Sequence, residues 1–279
     1  MKGSATVTAV LIGIAIASWT LFAGQLPLSP VRDRGQTITP VYEGWYPNPD
    51  GTFSMSFGYF NRNADEELDI PVGSDNYMEP GGPDLGQPTH FGPRRRRGVF
   101  AVTVPADFGD NEIIWTLTLR GESNSIPGHL HRDWMLDAIG GEAGGNTPPT
   151  LQLEPGGTEG RGPRGVTAGP RTATVGQPVT LDVWVSDDGV TRPRRRPRDD
   201  DEEEPALVTL TWYSHQGPGE VAFADAELKV QESGSQATTT ATFSEPGDYI
   251  VRVTAVDAYG AGGSQCCWSN GFVPVTVTP

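Results

Sequence analysis

The segment from residue 243 to residue 260, FSEPGDYIVRVTAVDAYG, constrains the fold more than any other part of the chain. A Pro-Gly turn leads into a stretch in which Tyr249, Val251, Val253 and Ala255 occupy every second position. Alternation with a period of two, bounded by turn residues, is typical of a β-strand that buries one face. The segment therefore predicts a half-buried strand that begins with a tyrosine.

A tyrosine that opens a strand directly after a turn fixes one corner of an immunoglobulin-like (Ig-like) β-sandwich. The residues from Phe243 to Gly260 resemble the late strands of PKD and related Ig-like domains of secreted and surface proteins. Trp212 lies where an Ig-like core places its tryptophan, although the usual disulfide between the sheets is missing. The resemblance implies an architecture and leaves the function open, because such sandwiches serve many functions.

The composition is that of an all-β protein. Among the 279 residues are 36 Gly and 25 Pro, which suits many short strands joined by turns, and the length fits two domains. The fold class we predict is all-β, with two Ig-like β-sandwich domains after one N-terminal hydrophobic helix. The formal net charge of −15 argues against nucleic acid as a partner, since phosphate binding requires a basic surface.

An uncharged apolar segment occupies residues 5–24, shortly after Lys2. Its length lies between the roughly 7–15 residues of a signal-peptide core and the roughly 20 residues of a spanning helix. Phe22 suits a cleavage site poorly, whereas Trp19 suits an interfacial anchor. An uncleaved signal-anchor and a cleaved signal peptide both remain open. In either case we expect the rest of the chain on the periplasmic or cell-surface side, and a signal-anchor would hold it in the inner membrane.

Composition divides the chain into five segments. They are a signal-anchor or signal peptide (1–25), a spacer (26–37), a β-sandwich domain (38–139), a Gly/Pro-rich linker with a first short strand (140–169) and a PKD- or Ig-like β-sandwich domain (170–279). Residues 192–204 interrupt the last domain with five Arg followed by six acidic residues. Because such a run cannot be buried, we predict a solvated loop there.

Runs of apolar and β-branched residues predict the strands of each domain. In the first domain they cover residues 52–60, 67–72, 98–105 and 112–119. In the second they cover residues 150–153, 177–185, 207–213, 221–223, 237–243, 249–256 and 272–278. A long loop over residues 73–97 remains in the first domain, and loops of this length are usually functional or held by their own contacts.

A second resemblance covers most of the exported part. The segments GWYPNPDGTF, FGYFNRN and EPGGPDLGQPTHF of the first domain, and CCWSN near the end, are similar to a group of exported bacterial proteins. That resemblance implies location and fold only.

Two histidines form the first candidate site. His129 and His131 would share one face of an extended segment, which is a known spacing for metal ligands. A third ligand would have to come from elsewhere, with His90 or Asp133 as candidates. The alternative is a pair of exposed polar residues at a strand end.

Four consecutive arginines, Arg94, Arg95, Arg96 and Arg97, form the second candidate site. At the end of the predicted long loop they would suit acidic lipid headgroups or an acidic face of a partner. The alternative is a solvated turn that flanks the next strand.

The third candidate site is one tip of the second domain, where loops B–C and F–G of an Ig-like sandwich emerge together. Carboxylates of Asp187, Asp188 and Asp257 would meet there and could hold Ca²⁺, or could instead cap turns. Loop F–G also carries the consecutive residues Cys266, Cys267 and Trp268. Export would provide oxidising conditions for a disulfide between the two adjacent cysteines, although free thiols or a bond to another chain are alternatives.

The sequence contains no G-x-S-x-G, P-loop or G-x-G-x-x-G motif, and we expect neither an enzyme nor a cofactor other than possible Ca²⁺. Two functions compete. One is a structural or accessory subunit of a larger membrane assembly, of which a bacterial photosynthetic reaction-centre–antenna complex with extra periplasmic subunits is an example. Its partners would be the other subunits, with the membrane contacted through the N-terminal helix. The other is a free surface module that binds carbohydrate or protein, for which an exposed aromatic row of Trp45, Tyr46 and Tyr59 would be expected.

Overall fold

A computed structural model describes residues 32–136, 145–190, 205–258 and 267–279. The predicted N-terminal helix, the insertion at 192–204 and Cys266 lie outside the described residues. Within the described ranges, no helix is long and apolar enough to cross a membrane. The residues Arg32–Pro279 form one compact unit with two hydrophobic cores.

The first core lies between two three-stranded sheets, with strand orders β1-β2-β6 and β4-β7-β8, beside a ribbon of β3 and β5. The strands are β1 (Ile38–Pro47), β2 (Phe53–Asn61), β3 (Leu68–Asp69), β4 (Asn76–Glu79), β5 (His90–Phe91), β6 (Arg94–Val104), β7 (Ile113–Leu119) and β8 (Glu122–Gly128). Phe57 of β2 stacks on Phe100 of β6, and both rings meet the edge of Trp115 from the opposite sheet. The alternating apolar residues of these strands therefore form a sandwich.

The second core lies between a five-stranded sheet, β10-β9-β13-β17-β15, and a six-stranded sheet that consists of β11-β19-β18-β14-β16 and of β12, which also pairs with β19. The strands are β9 (Thr150–Gln152), β10 (Glu159–Gly160), β11 (Val166–Thr167), β12 (Arg171–Thr174), β13 (Val179–Ser186), β14 (Val208–Gln216), β15 (Val221–Phe223), β16 (Glu227–Val230), β17 (Ser235–Phe243), β18 (Gly247–Asp257) and β19 (Trp268–Thr278). This distribution of strands over two sheets is Ig-like.

The strand predicted from residues 249–256 is confirmed as β18. Its alternate residues Tyr249, Val251, Val253 and Ala255 are all buried in the second core. The Tyr249 hydroxyl donates to the carbonyl oxygen of Glu245 at 2.9 Å, which closes the corner before the strand. The corner and the strand are therefore those that the turn and the alternation of residues 243–260 predict.

Two regions are more regular than predicted. The expected loop over residues 73–97 contains β4, β5 and the start of β6. The expected linker over residues 140–169 contains the predicted first strand as β9 and, in addition, β10 and β11, and Val166 belongs to the second core. The unpredicted strands β4, β5, β10 and β11 are only two to four residues long, so alternation over a longer window cannot reveal them.

Two β-bulges place titratable side chains inside the protein. The register between β1 and β2 shifts at Glu43, and the register between β14 and β18 shifts at His215. An extra residue in one strand turns its side chain out of the ordinary alternation. Both residues are consequently buried, Glu43 with 3% and His215 with 1% exposure.

The two sandwiches meet in a polar contact that we call the seam. On the first sandwich it is formed by β6 and residues 86–89, and on the second by β14 and β19. Asn270 of β19 is fully buried there, and its Nδ2 donates to the carbonyl oxygens of Gly98 at 2.6 Å and Pro163 at 3.0 Å. Its Oδ1 accepts from Thr254 and Arg252, both at 3.1 Å.

The bulged end of β14 forms the other half of the seam. His215 Nε2 lies 2.9 Å from the carbonyl oxygen of Gly86, and the His215 carbonyl accepts from the Thr89 amide at 2.8 Å. The side-chain amide of Gln216 donates to the carbonyl oxygen of Gln87 at 2.7 Å. Backbone groups that would otherwise be buried without partners are thus satisfied across the seam.

Close packing at Gly98 makes the seam sensitive to a single methyl group. Gly98 has φ +52°, and a Cβ there would lie 2.3–2.5 Å from the ring of Trp268, which is itself buried. Gly121 in the β7–β8 turn has a similar positive φ of +79°, but a Cβ there would meet nothing within 4 Å. Substituting each of these two glycines by alanine therefore separates the cost of backbone strain from the cost of a steric clash at the seam.

We expect Gly121→Ala to lower the free energy of unfolding by about 1 kcal/mol through its positive φ alone. Gly98→Ala should cost about 1–3 kcal/mol more, because its methyl group overpacks a buried indole. Urea unfolding of both variants measures the difference. Equal costs for the two substitutions would show that Trp268 does not hold β6 at the seam.

Candidate functional site

The four arginines lie at the start of β6 and not, as expected, at the end of a loop. Arg94 pairs with Asn61, Arg95 with Phe60 and Arg96 with Tyr59 of β2, in antiparallel register. Backbone pairing with β2 outweighs the polarity of the side chains, because every second residue of the run can point away from the core. Arg94 and Arg97 are exposed, whereas the two between them are only partly accessible.

Arg95 is held within the first sandwich. Its Nη2 donates to Oε1 of Glu43 at 2.6 Å, and Nη1 donates to the carbonyl oxygens of Arg96 at 2.6 Å and Tyr59 at 3.1 Å. Burial, opposed by Arg95, raises the pKa of the Glu43 carboxyl group. A Cβ on Gly58 would lie 2.5 Å from Oε1 of Glu43, so the glycine makes room for this pair. Its partners assign Arg95 a structural role.

Arg96 points the other way, to a cavity of about 230 Å³ at the seam. Residues from both sandwiches line the cavity, among them Tyr59, His90 and Arg96 from the first and Tyr213 and Arg252 from the second. The guanidinium carbon of Arg96 lies 5.4 Å from the centre of the Tyr213 ring, and that of Arg252 lies 4.7 Å from the same centre. Two cations therefore share one aromatic ring.

Two histidines border this cavity, and their pKa values are shifted in opposite directions. His215 is sealed in the seam, where burial and the charge of Arg252 lower its pKa to about 3. His90 lies 2.8 Å from Asp69 through Nδ1 and 3.5 Å from Glu67 through Nε2. The hydrogen bond to Asp69 raises the pKa of His90 against the effect of burial. The cavity thus has one neutral histidine and one that its acidic neighbours help to protonate.

The histidine pair of the sequence prediction lies on a different part of the first sandwich. The rings of His129 and His131 are 6.2 Å apart, and both Nδ1 atoms accept from backbone amides within the same segment. Neither His90 nor Asp133 completes a metal site with them. In the described ranges, no group of three or more His, Cys, Asp or Glu residues is arranged to hold a metal ion.

Two large apolar side chains follow this pair and are exposed. Trp134 is 45% and Met135 41% exposed, next to a short 3₁₀ turn at Arg132–Trp134. The centroid of the Trp134 indole lies 5.6 Å from that of the Tyr42 ring and 6.0 Å from that of the His129 ring. These two rings hold the indole in one orientation. Met135 also borders a groove of about 780 Å³.

The carboxylates of the second-domain tip are bound by the protein itself. Asp188 Oδ2 accepts from the amide and hydroxyl groups of Thr147 at 2.9 and 2.7 Å. Asp257 is buried and accepts from Asn146 Nδ2 at 2.8 Å. Burial, with the nearby charges of Asp257 and Asp188, raises the pKa of Asp187 to about 6. Oδ1 of Asp187 and Oδ1 of Asp188 also accept from the amides of Gly189 and Val190 at 2.8 and 3.0 Å, which are local contacts of the turn-capping kind, and the Ca²⁺ site stays a prediction.

The cysteine prediction falls partly outside the described residues. The sulfur of Cys267 is disulfide-bonded and lies 2.8 Å from Asn146 Nδ2. Cys266 is not described, so the vicinal bond stays a prediction. The expected position of Trp268 on the same exposed surface is wrong, because Trp268 is the first residue of β19 and packs at 6% exposure against Gly98.

The expected exposed aromatic row is also wrong. Trp45, Tyr46 and Tyr59 are 9%, 6% and 4% exposed. The Trp45 indole donates to the carbonyl oxygen of His131, and the Tyr46 hydroxyl accepts from the Arg164 amide of the second sandwich, both at 2.8 Å. Neighbouring segments and the second sandwich cover these side chains, so none of the three offers a free platform for a sugar ring.

Sequence reasoning missed the role of Arg252 and Tyr213, which lie on neighbouring strands and are paired in register. Alternation places Arg252 on the face of β18 opposite the core residues Val251 and Val253, a face that the sequence alone predicts to be exposed. In the structure this face lies at the seam, and Arg252 is only 5% exposed. A buried arginine of this kind requires a specific environment.

The sequence matches no protein-family model and no curated protein. Among solved structures, the D00–D0 domain of intimin matches at 15% identity and a TM-score of 0.29, over 87% of this chain and 100% of that chain. The adhesin InvE of Yersinia pseudotuberculosis matches at 12% and 0.26, over 86% and 58%. A nucleoside hydrolase-related protein of Saccharophagus degradans matches at 16% and 0.27, over 48% and 26%. Likenesses at these scores carry no argument about function.

The buried histidine of the seam predicts a pH dependence of stability. Because the folded-state pKa of His215 is about 3, the unfolded chain takes up a proton below about pH 6.5 that the folded chain does not. This contribution to stability is complete above the unfolded-state pKa and is lost as the pH falls. The slope is at most about 1.4 kcal/mol per pH unit.

We expect His215→Gln to remove this slope, so that the variant loses less stability than the wild type between about pH 8 and about pH 5. Urea unfolding at each pH measures the difference. His131→Gln is the matched control, since His131 is exposed, and its profile should follow that of the wild type. Parallel profiles for wild type and His215→Gln would contradict the assignment of His215 as a neutral seam residue.

Proposed function

We propose that the chain is a non-catalytic, exported contact protein that acts as a structural or accessory subunit of a larger membrane assembly. The observation that carries the proposal is the exposed pair of Trp134 and Met135. Tryptophan and methionine are enriched at protein interfaces, where large apolar side chains supply most of the binding energy. Most other large aromatic residues of the described ranges are covered by the protein itself.

The hydrogen bonds across the seam support a role in binding a partner protein. Hydrogen bonds between Asn270 and Gly98, and between His215 and the segment at Gly86, connect the two sandwiches. Two sandwiches connected in this way present a surface in a fixed geometry, which reduces the entropy lost when a partner binds. The anchor at residues 1–25 is part of the proposal on the strength of the sequence alone.

The arrangement of polar side chains supports the absence of catalysis. The chain has four histidines, and within the described ranges none of them hydrogen-bonds to a Ser, Thr or Cys side chain. A nucleophile activated by histidine would need such a contact. The alternative, a free surface module that binds carbohydrate or protein, loses the aromatic row expected for it, and its protein-binding form is distinguished from the proposal by whether the chain purifies with other membrane subunits.

The proposal predicts a stable complex that depends on Met135. Full-length protein purified from its native membranes in mild detergent should run as a defined assembly with other membrane subunits. Met135→Glu should dissociate it, because the charge would be buried at the contact. Phe60→Glu is the matched control, since Phe60 is 40% exposed and lies on β2, and it should leave the assembly intact. A wild-type chain that elutes alone, or an assembly unaffected by Met135→Glu, would contradict the proposal.

A further inference from the structure

Arg252 is a buried charge without a counter-charge among the described residues. Its side chain is 5% exposed, and none of the described carboxylates forms an ion pair with it. Nη1 donates to the hydroxyl of Thr254 at 2.6 Å and to Oδ1 of Asn270 at 3.1 Å. A buried cation that is neither paired nor fully hydrogen-bonded is costly, so the arrangement calls for an explanation.

The remaining donors of Arg252 are not used by the described protein. Nε is buried and has no acceptor, and Nη2 makes no hydrogen bond to any described residue. Nε and Nη2 form one edge of the planar guanidinium group, the edge that binds the two oxygens of an oxyanion side by side. Arg252 lines the seam cavity, and Trp212, whose Nε1 also has no acceptor, lines it as well.

A second unpaired cation faces the same space. Arg96 makes a cation–π contact with Tyr213 and, within the described ranges, no ion pair. Burial, together with the nearby charge of Arg96, lowers the pKa of Arg252. Burial raises the pKa of the Tyr59 hydroxyl group, and the charges of both arginines oppose that shift. Both guanidinium groups line the same cavity, and like charges repel each other, a repulsion that an anion bound in the cavity would relieve.

One carboxylate also lines the cavity. Glu67 is bound to His90 at 3.5 Å, and its side chain is 61% exposed, so it lies where the cavity meets solvent. His90 also contacts Asp69 at 2.8 Å, so the mouth carries two carboxylates around one imidazole and is acidic. The inner part of the cavity, with Arg96 and Arg252, remains positive in a protein whose formal net charge is −15.

The geometry points to a binding site for a small oxyanion of the phosphate or carboxylate type in the seam cavity, held by Arg252 and Arg96 beside Tyr213. The volume of about 230 Å³ is below the roughly 300–1,000 Å³ of sites for drug-sized ligands, which restricts the ligand to a small molecule. Since the two arginines belong to different sandwiches, the bound anion would also fasten the seam.

Calorimetric titration of the full-length protein in detergent with inorganic phosphate, at constant ionic strength, tests this site. We expect saturable binding with one anion per chain. Arg96→Gln should weaken it by about tenfold, because it removes one charge-assisted contact. Arg97→Gln is the matched control: it removes the same charge from the next, exposed position of β6 and should leave binding unchanged.

A second titration, with acetate, separates the two anion types. Binding of both anions supports recognition of oxyanions in general, and binding of phosphate alone supports a site for tetrahedral dianions. Arg252→Lys keeps the charge and removes the planar fork, so it should also weaken phosphate binding, provided that circular dichroism shows a folded chain. The inference is overturned if neither anion gives saturable heat with the wild type, or if Arg96→Gln and Arg97→Gln have equal effects.

Discussion

The hydrogen bonds of Asn270 are the interaction on which the arrangement of the molecule depends. One buried amide connects β19 to Gly98 of the first sandwich, to Pro163 and to Arg252 on the neighbouring strand. An amide can donate and accept at once, so it satisfies carbonyl groups on one side and a guanidinium group on the other. Replacing it with an apolar residue would leave both sides buried without partners.

The polar contacts of the seam fix how the two sandwiches are oriented. Two cores joined only by apolar contacts could slide, whereas hydrogen bonds with fixed directions set one orientation. The same polarity admits charged side chains between the sandwiches, which is why Arg96 and Arg252 can face one cavity. The surface that we propose for partners, at Trp134 and Met135, lies on the first sandwich and is distinct from this cavity.

The sequence predicted those features that depend on residues close together in the chain. Strand β18 and its tyrosine corner were recognised because alternation and a turn lie within a short window. Strand β8 was missed because most of its residues are polar and exposed. Burial of Trp45, Tyr46 and Trp268 could not be predicted, since the groups that cover them come from distant segments. The arginine run was misplaced for the same reason, as its pairing partner is β2.

The claim that the seam makes one body of two sandwiches is tested most directly by native-state hydrogen exchange in increasing urea. Core amides of β2 in the first sandwich and of β13 in the second should exchange through the same opening, with equal free energies and equal dependence on urea. Amides of one sandwich that exchange through an opening of lower free energy, while the other sandwich stays protected, would contradict it.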